Sequence, residues 1–181
     1  NATDSAMIID AMDILHSEKV DGFCLVSSDS DFTRLAIRLR ESGMLVIGIG
    51  EKKTPNPFIV ACDKFIYIEI IGSAKINKTT KVTSSIPVET SKIDTINDKI
   101  IQLLKSSVED LVEDNGWASM AEVGGLIIKK KPDFDPRNYG FQKLTPLIKS
   151  LTEHFEIDER EVENTHIKHI YEKLHVNTIG A

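Results

Sequence analysis

The stretch that most constrains the fold is residues 23–32, in which a short apolar run ends in a cluster of serine and aspartate residues. The apolar run is typical of a buried strand, and the polar cluster is typical of the start of a helix. Asp29 and Asp31 are therefore predicted where the strand ends and the helix begins. In an open parallel sheet, ligands bind in the crevice outside the carboxyl ends of the strands.

These two aspartates have two interpretations. Carboxylate oxygens are the ligands that Mg²⁺ and Mn²⁺ prefer, so two of them directly after a buried strand indicate a metal site. Alternatively, one aspartate caps the helix by accepting a backbone hydrogen bond. Because Asp29 and Asp31 stand together in one short polar cluster, the pattern favours the metal site.

Apolar runs alternate with amphipathic segments over the first 71 residues. The predicted strands are 22–27, 44–50 and 64–71, and the predicted helices are 3–16, 31–42 and 58–61. Short right-handed connections between such segments give an α/β fold, a parallel sheet with helices on its faces. Thr3 is the expected N-cap of the first helix, and Gly43 is the expected end of the second. Asp4 falls in a first turn, where the helix dipole favours negative charge.

The composition changes at residue 72. Residues 72–92 are rich in Lys, Thr and Ser and lack an apolar period, which indicates a flexible linker between domains at 1–71 and 93–175. The second domain has three helical segments, the first capped by Asp94 or Thr95. Pro146 interrupts the third, so we expect a kink there or a restart capped by Thr145. Segments 155–158 and 166–171 alternate like a β-hairpin, and the whole predicts a winged helix-turn-helix.

Charge and cysteine usage restrict the function. A net charge of −6 argues against bulk electrostatic capture of nucleic acid, but it allows a local basic face or a metal-bridged phosphate. No apolar run approaches the about 20 residues that span a bilayer, so no membrane partner is expected.

Cys24 and Cys62 lack metal-ligand spacing. We expect both to be small buried side chains of a protein in the reducing cytoplasm.

Two families share these patterns. Residues 1–69 resemble an NYN domain, the PIN-like nuclease fold of the LabA-like family. The matching pieces are 2–4, 9–10, 20–21, 26–32, 39–43 and 61–63. Residues 93 to about 173 resemble an OST-HTH (LOTUS) domain, with matching pieces at 116–118, 134–141 and 144–151.

The NYN resemblance implies that Asp4, Asp29 and Asp31 are catalytic residues that bind Mg²⁺ or Mn²⁺ and cleave RNA. The family's first strand, which ends in another metal-site aspartate, is expected before Asn1, so the PIN-like sheet is predicted to lack that strand here. Clustered carboxylates repel one another unless a cation neutralises them, which agrees with a metal site. Ser27 and Ser28 either orient water or phosphate or simply form the loop.

The second domain offers a set of basic residues with two interpretations. They either form a face that contacts phosphate or are ordinary solvated surface of an acidic domain. The set comprises Lys129, Lys130, Lys131, Arg137, Lys143 and Lys149. Trp117 and Tyr139 either stack on bases or belong to the core. The LOTUS resemblance implies a partner that is RNA or a protein, helicases included.

Two functions follow. The first is a metal-dependent ribonuclease with a C-terminal RNA-binding winged-helix module. The second is a non-catalytic adaptor that binds RNA or protein and keeps the NYN fold as a scaffold. The sequence leaves open the RNA substrate, the cleavage mode and the oligomeric state.

Overall fold

The computed structural model of the protein describes residues 2–73, 93–161 and 168–174. The chain divides into two compact units, one of residues 1–92 with 131–133 and the other of residues 93–130 and 134–181. Each unit has a hydrophobic core of its own.

The first unit alternates helices and strands. In chain order these are α1 (Ala2–His16), β1 (Gly22–Val26), a 3₁₀ turn (Ser30–Phe32), α2 (Thr33–Glu41), β2 (Leu45–Gly50), α3 (Asn56–Ala61), β3 (Lys64–Tyr67) and α4 (Ile68–Ser73). The strands form one parallel sheet of order β1-β2-β3. The predicted α/β fold with a parallel sheet is confirmed.

The core of this unit packs against one face of the sheet. Val46 of β2 and Phe65 of β3 are buried together with Phe58 of α3, and the two phenylalanine rings meet edge-to-face at 6.0 Å. The predicted buried stripe of the second helix is confirmed, because Phe32, Leu35, Ala36 and Leu39 are all buried. Gly43 follows that helix with φ +82°, the left-handed conformation that favours glycine at a helix end.

The cysteine prediction was right for one residue and wrong for the other. Cys62 is a buried free thiol, and burial raises its pKa to about 11. Cys24 is a free thiol that is exposed, and Val26 is 66% exposed. The reason is that β1 lies at the edge of the sheet, and these two side chains alternate with Leu25, which faces the core.

The ends of two elements differ from the prediction. The third strand stops at Tyr67, opposite Gly50, which is the last residue of β2. A strand without a partner has no ladder to continue, and the chain turns into α4 instead. Thr3 is not an N-cap, because α1 already includes Ala2.

The second unit is a winged helix. Its elements are α5 (Asp98–Glu109), β4 (Ala118–Ser119), α6 (Met120–Lys130), a 3₁₀ turn (Pro136–Tyr139), α7 (Leu144–Lys149), β5 (Phe155–Glu161) and β6 (Lys168–Leu174). An antiparallel sheet of order β4-β6-β5 closes one side of the domain. Side chains from all three helices share the core, including Leu104, Val123 and Leu147. The predicted three helices and terminal hairpin are confirmed.

Two local predictions for this unit were wrong: the cap of its first helix and the kink or restart at Pro146. The cap of α5 is Asn97, whose Oδ1 accepts from the N–H of Ile100 at 3.1 Å, and not Asp94 or Thr95. Helix α7 begins after Lys143, so Thr145 is not its cap. Pro146 sits in the first turn, where a helical N–H has no partner, and no kink is needed. Of the predicted linker, residues 72 and 73 belong to α4 instead, and residues 74–92 are not among the described residues.

Candidate active site

The turn after β1 carries the two predicted metal-site aspartates. Oδ1 of Asp29 accepts from the N–H of Asp31 at 2.9 Å, and Oγ of Ser27 accepts from the N–H of Asp29 at 3.1 Å. These bonds start the 3₁₀ turn, which buried Phe32 anchors in the core. The alternative role predicted for one aspartate, a cap that accepts a backbone hydrogen bond, is therefore present at Asp29. It occupies one oxygen of Asp29 and leaves both carboxylates exposed to solvent.

A second contact fastens this turn to the next strand. Oγ of Ser28 accepts from the N–H of Glu51 at 2.9 Å, and the N–H of Ser27 donates to the carbonyl of Ile49 at 2.9 Å. A Cβ on Gly50 would lie 2.5 Å from the carbonyl oxygen of Ser27, so only glycine allows this approach. The described contacts of Ser27 and Ser28 are those of loop-forming residues.

The same end of the sheet carries two acids that sequence reasoning missed. Glu51 directly follows β2, and Oε1 of Glu69 accepts from the N–H of Lys52 at 2.9 Å. Nζ of Lys53 lies 2.5 Å from Oε2 of Glu51. Glu51 could have been found by the rule that selected Asp29, since it too follows a strand. Glu69 could not, because the third strand was predicted to extend past it.

We call this region the carboxyl edge: residues 27–31, 51–54 and 68–69, which follow β1, β2 and β3. Asp4 lies on α1, which packs against the turn of Ser30–Phe32. Within the described ranges, no group of three or more His, Cys, Asp or Glu side chains is arranged to hold one metal ion. One turn therefore brings Asp29 and Asp31 together, and Asp4 does not complete a three-ligand cluster with them.

Two exposed carboxylates still suit one kind of ion. Mg²⁺ keeps several of its waters and is commonly bound through one or two carboxylates together with substrate phosphates. Oxygen donors are also the type that Mg²⁺ and Mn²⁺ select. Among the described residues, neither Asp29 nor Asp31 forms an ion pair with a basic side chain. The donor chemistry of the turn fits a hard divalent cation.

The opposite end of the sheet holds an acid with a different role. Oδ2 of Asp63 accepts from the N–H of Val46 at 2.8 Å, and Oδ1 pairs with Nε of Arg40 at 2.9 Å. Nη1 of Arg40 donates to the carbonyl of Ala61 near the end of α3. Asp63 thus ties a strand to a helix end, which explains it as a structural residue.

The basic residues of the winged helix are mostly paired with acids. Nζ of Lys130 lies 2.8 Å from Oδ2 of Asp110, and Nζ of Lys131 lies 2.7 Å from Oδ2 of Asp133. Lys149 pairs in the same way with Glu159 at 2.6 Å. Of the predicted set, Lys129 and Lys143 are exposed and have no acidic partner in the part of the chain that the structure describes.

Arg137 forms the tightest of these pairs. Its Nε donates to Oδ1 of Asp135 at 2.9 Å and its Nη2 to Oδ2 at 2.6 Å, a two-bond fork. The hydrogen bond to Asp135 raises the pKa of Arg137. Asp135 is buried and also accepts from the backbone N–H of Arg137 at 2.9 Å. This arginine therefore holds the 3₁₀ turn of Pro136–Tyr139 in place.

Comparison with protein families decides the architecture. The NYN domain model matches residues 1–69, and the OST-HTH/LOTUS domain model matches residues 91–167. The chain carries an NYN domain followed by a LOTUS domain. The two resemblances found in the sequence are confirmed, and both the parallel sheet and the winged helix agree with them.

Comparisons with solved structures and with curated proteins give no further information on the fold or the function. A solution NMR structure of an uncharacterized protein from Nitrosomonas europaea is similar with 24% identity and a TM-score of 0.44, covering 57% of this chain and 97% of that one. A TM-score this low does not establish a common fold. A search of curated proteins finds no match.

Two further predictions concern the LOTUS domain and the membrane. The ring of Tyr139 lies 5.9 Å from that of Phe134 and packs against the LOTUS core, which favours the core interpretation of this residue. Trp117 is partly buried.

In the described part of the chain, every helix is too short or too polar to cross a bilayer.

Proposed function

We propose that this NYN–LOTUS protein is a metal-dependent ribonuclease that hydrolyses phosphodiester bonds, and that its LOTUS domain contributes to RNA binding. The observation that carries the proposal is the turn of Asp29 and Asp31 at the carboxyl edge. Among the described residues no basic side chain pairs with these two exposed carboxylates at the end of a parallel strand, and a bound cation would offset their repulsion.

Asp29 and Asp31 would hold Mg²⁺ or Mn²⁺, and Asp4 would be a further ligand if α1 approaches the turn more closely in the loaded protein. When bound, the ion would polarise a phosphoryl oxygen and lower the pKa of a bound water. Two hydrogen bonds of the chain itself position these carboxylates. The Asp29–Asp31 bond fixes the turn, and the Ser28–Glu51 bond fixes its place beside the loop after β2.

The proposed setting is the cytoplasm. Both cysteines are free thiols, and Cys24 is exposed, which suits a reducing compartment. The proposed partner of the LOTUS domain is RNA, contacted through the basic residues that lack an acidic partner. Among the residues that the structure describes, the Lys129 and Lys143 ammonium groups have no acidic partner and would contact phosphate.

The test is cleavage of labelled single-stranded RNA by the full chain with Mn²⁺ and with EDTA. We expect cleavage only with metal, and Asp29→Asn should lower its rate by about 100-fold, since even residues that only support the metal ligands typically contribute about 10- to 100-fold. The matched control is Asp21→Asn, an exposed acid just before the other end of β1. Equal rates for the two variants would contradict the assignment of the site.

The adaptor function stays the second candidate because one observation favours it. Among the described residues, no three potential ligands form a metal cluster. An adaptor binds RNA or a protein through the same domains but cleaves no RNA at any metal concentration. RNA binding by the full chain without metal-dependent cleavage would establish it over the ribonuclease.

A further inference from the structure

The loop after β2, residues 51–54, is fastened to both neighbouring strands. The N–H of Glu51 donates to Ser28 at the end of β1, and the N–H of Lys52 donates to Glu69 just after β3. Thr54 is buried, and its hydroxyl donates to the carbonyl of Glu51 at 2.6 Å. The backbone of this loop is therefore fixed at both ends, although it lies at the surface.

Lys53 projects from this fixed loop. Its side chain is 76% exposed, and its ammonium group contacts only the carboxylate of Glu51 among the described residues. The hydrogen bond to Glu51 raises the pKa of Lys53. An ion pair this exposed is weak, because solvent competes for both partners. A phosphate can therefore replace Glu51 as the partner of Lys53 at little cost.

We infer that Lys53 binds a phosphate group of the RNA at the carboxyl edge, and that Ser28 and Glu69 are positioning residues for its loop. The inference rests on the proposed RNA substrate. The acidic turn of Asp29 and Asp31 repels a phosphate, and a cation on the adjoining loop offsets that repulsion. The loops adjoin because Ser28, the neighbour of Asp29, holds Glu51.

The first experiment measures binding of fluorescein-labelled single-stranded RNA to the full chain by anisotropy, in EDTA and over a range of salt concentrations. Lys53→Gln should raise Kd about threefold, as expected for one exposed charge contact. It should also reduce the slope of log K against log salt by about 0.7, the loss of one phosphate contact to a single strand. Lys19→Gln, an exposed lysine near the other end of β1, is the control and should change neither.

A second experiment tests the positioning residues. Glu69→Ala removes the acceptor of the Lys52 N–H and should weaken RNA binding about as much as Lys53→Gln. Glu69→Gln keeps an oxygen acceptor and should restore binding. Adding Lys53→Gln to Glu69→Ala should cause no further loss, because a displaced lysine has no contact left to lose. Ser28→Ala tests the other anchor of the loop, and serves in place of Glu69→Ala if that variant unfolds.

The outcomes separate this inference from the proposed function. If Lys53→Gln binds RNA as the wild type does while metal-dependent cleavage is intact, the inference is overturned and the ribonuclease stands. If Lys53→Gln weakens binding and no condition gives cleavage, the inference is supported and the ribonuclease fails. A Lys19→Gln effect equal to that of Lys53→Gln would mean diffuse surface charge and would overturn the inference.

Discussion

The turn of Asp29 and Asp31 in the NYN domain and the predicted basic residues of the LOTUS domain differ in whether their charges are paired. Asp29 and Asp31 are exposed, and among the described residues no basic side chain pairs with them. In the LOTUS region, Lys130, Lys149 and Arg137 each have an acid within 2.8 Å. We therefore expect a cation from outside in the first region, whereas acids of the chain itself pair with four of the six predicted basic residues in the second.

The contrast shows that a cluster of like charges in a sequence does not by itself indicate a binding site. Residues 129–131 form a run of three lysines in the sequence, yet two of them pair with acids, Lys130 with Asp110 and Lys131 with Asp133. A phosphate would have to displace those acids first, and it reaches these lysine side chains, 28% and 35% exposed, less easily than Lys53, which is 76% exposed. The turn of Asp29 and Asp31 has fewer charges, but no basic side chain of the described residues pairs with them, and it is the stronger candidate for a ligand site.

The largest expected effect comes from breaking the best-paired charge. Asp135→Ala removes the acceptor of three hydrogen bonds and leaves Arg137 without its partner. We expect the free energy of unfolding to fall by about 2 kcal/mol, the usual size of hydrogen bonds to a charged group, because the partly exposed Arg137 can be solvated once its partner is gone. Urea unfolding of the full chain measures it. Asp114→Ala, an exposed acid of the same domain, is the control and should cost little. Equal losses in the two variants would mean that the Asp135–Arg137 pair contributes no stability.

A smaller effect separates paired from unpaired lysines in RNA binding. Lys129→Gln and Lys143→Gln should each weaken binding about threefold and reduce the salt slope by about 0.7. Lys130→Gln should change both quantities less, because its ammonium group is already held by Asp110. Anisotropy titrations in EDTA compare the three variants. A larger loss for Lys130 than for Lys129 would break the contrast between the two regions.

The smallest effect is expected at the carboxyl edge itself. Asp31→Asn should change the free energy of unfolding, measured without divalent metal, by less than about 0.5 kcal/mol, as for other exposed substitutions. The backbone N–H that bonds to Asp29 is unaffected by this change. A destabilisation comparable to that of Asp135→Ala would make Asp31 a structural residue and remove the reason to expect a ligand there.

Much of the fold could be predicted because it depends on local pattern. The apolar runs located all three parallel strands, and the helical spacing located the buried face of α2, from Phe32 to Leu39. The ends of elements depend on partners instead. The third strand stops at Tyr67 because β2 stops at Gly50, and the exposure of Cys24 depends on β1 being at the edge.

In the candidate site too, local features could be predicted from the sequence, and contacts between distant residues could not. Asp29 and Asp31 lie in one turn, so their spacing alone placed them together. The pairing of Lys130 with Asp110 joins residues far apart in the chain, and no sequence spacing reveals it. Glu69 was predicted to lie within the third strand. Its contact with the N–H of Lys52 could not be predicted, because it depends on where that strand ends. Asp4 was selected by resemblance, and its place in the site stays a prediction.

The central claim is that the unpaired aspartates bind a divalent cation, and a Mn²⁺ titration of the full chain tests it most directly. Isothermal calorimetry should show a binding site in the wild type. Asp29→Asn combined with Asp31→Asn should remove that site while the circular dichroism spectrum and unfolding midpoint stay close to the wild-type values. Asp10→Asn with Asp13→Asn, two exposed acids of α1, should leave the site intact. Unchanged Mn²⁺ binding after loss of Asp29 and Asp31 would contradict the claim.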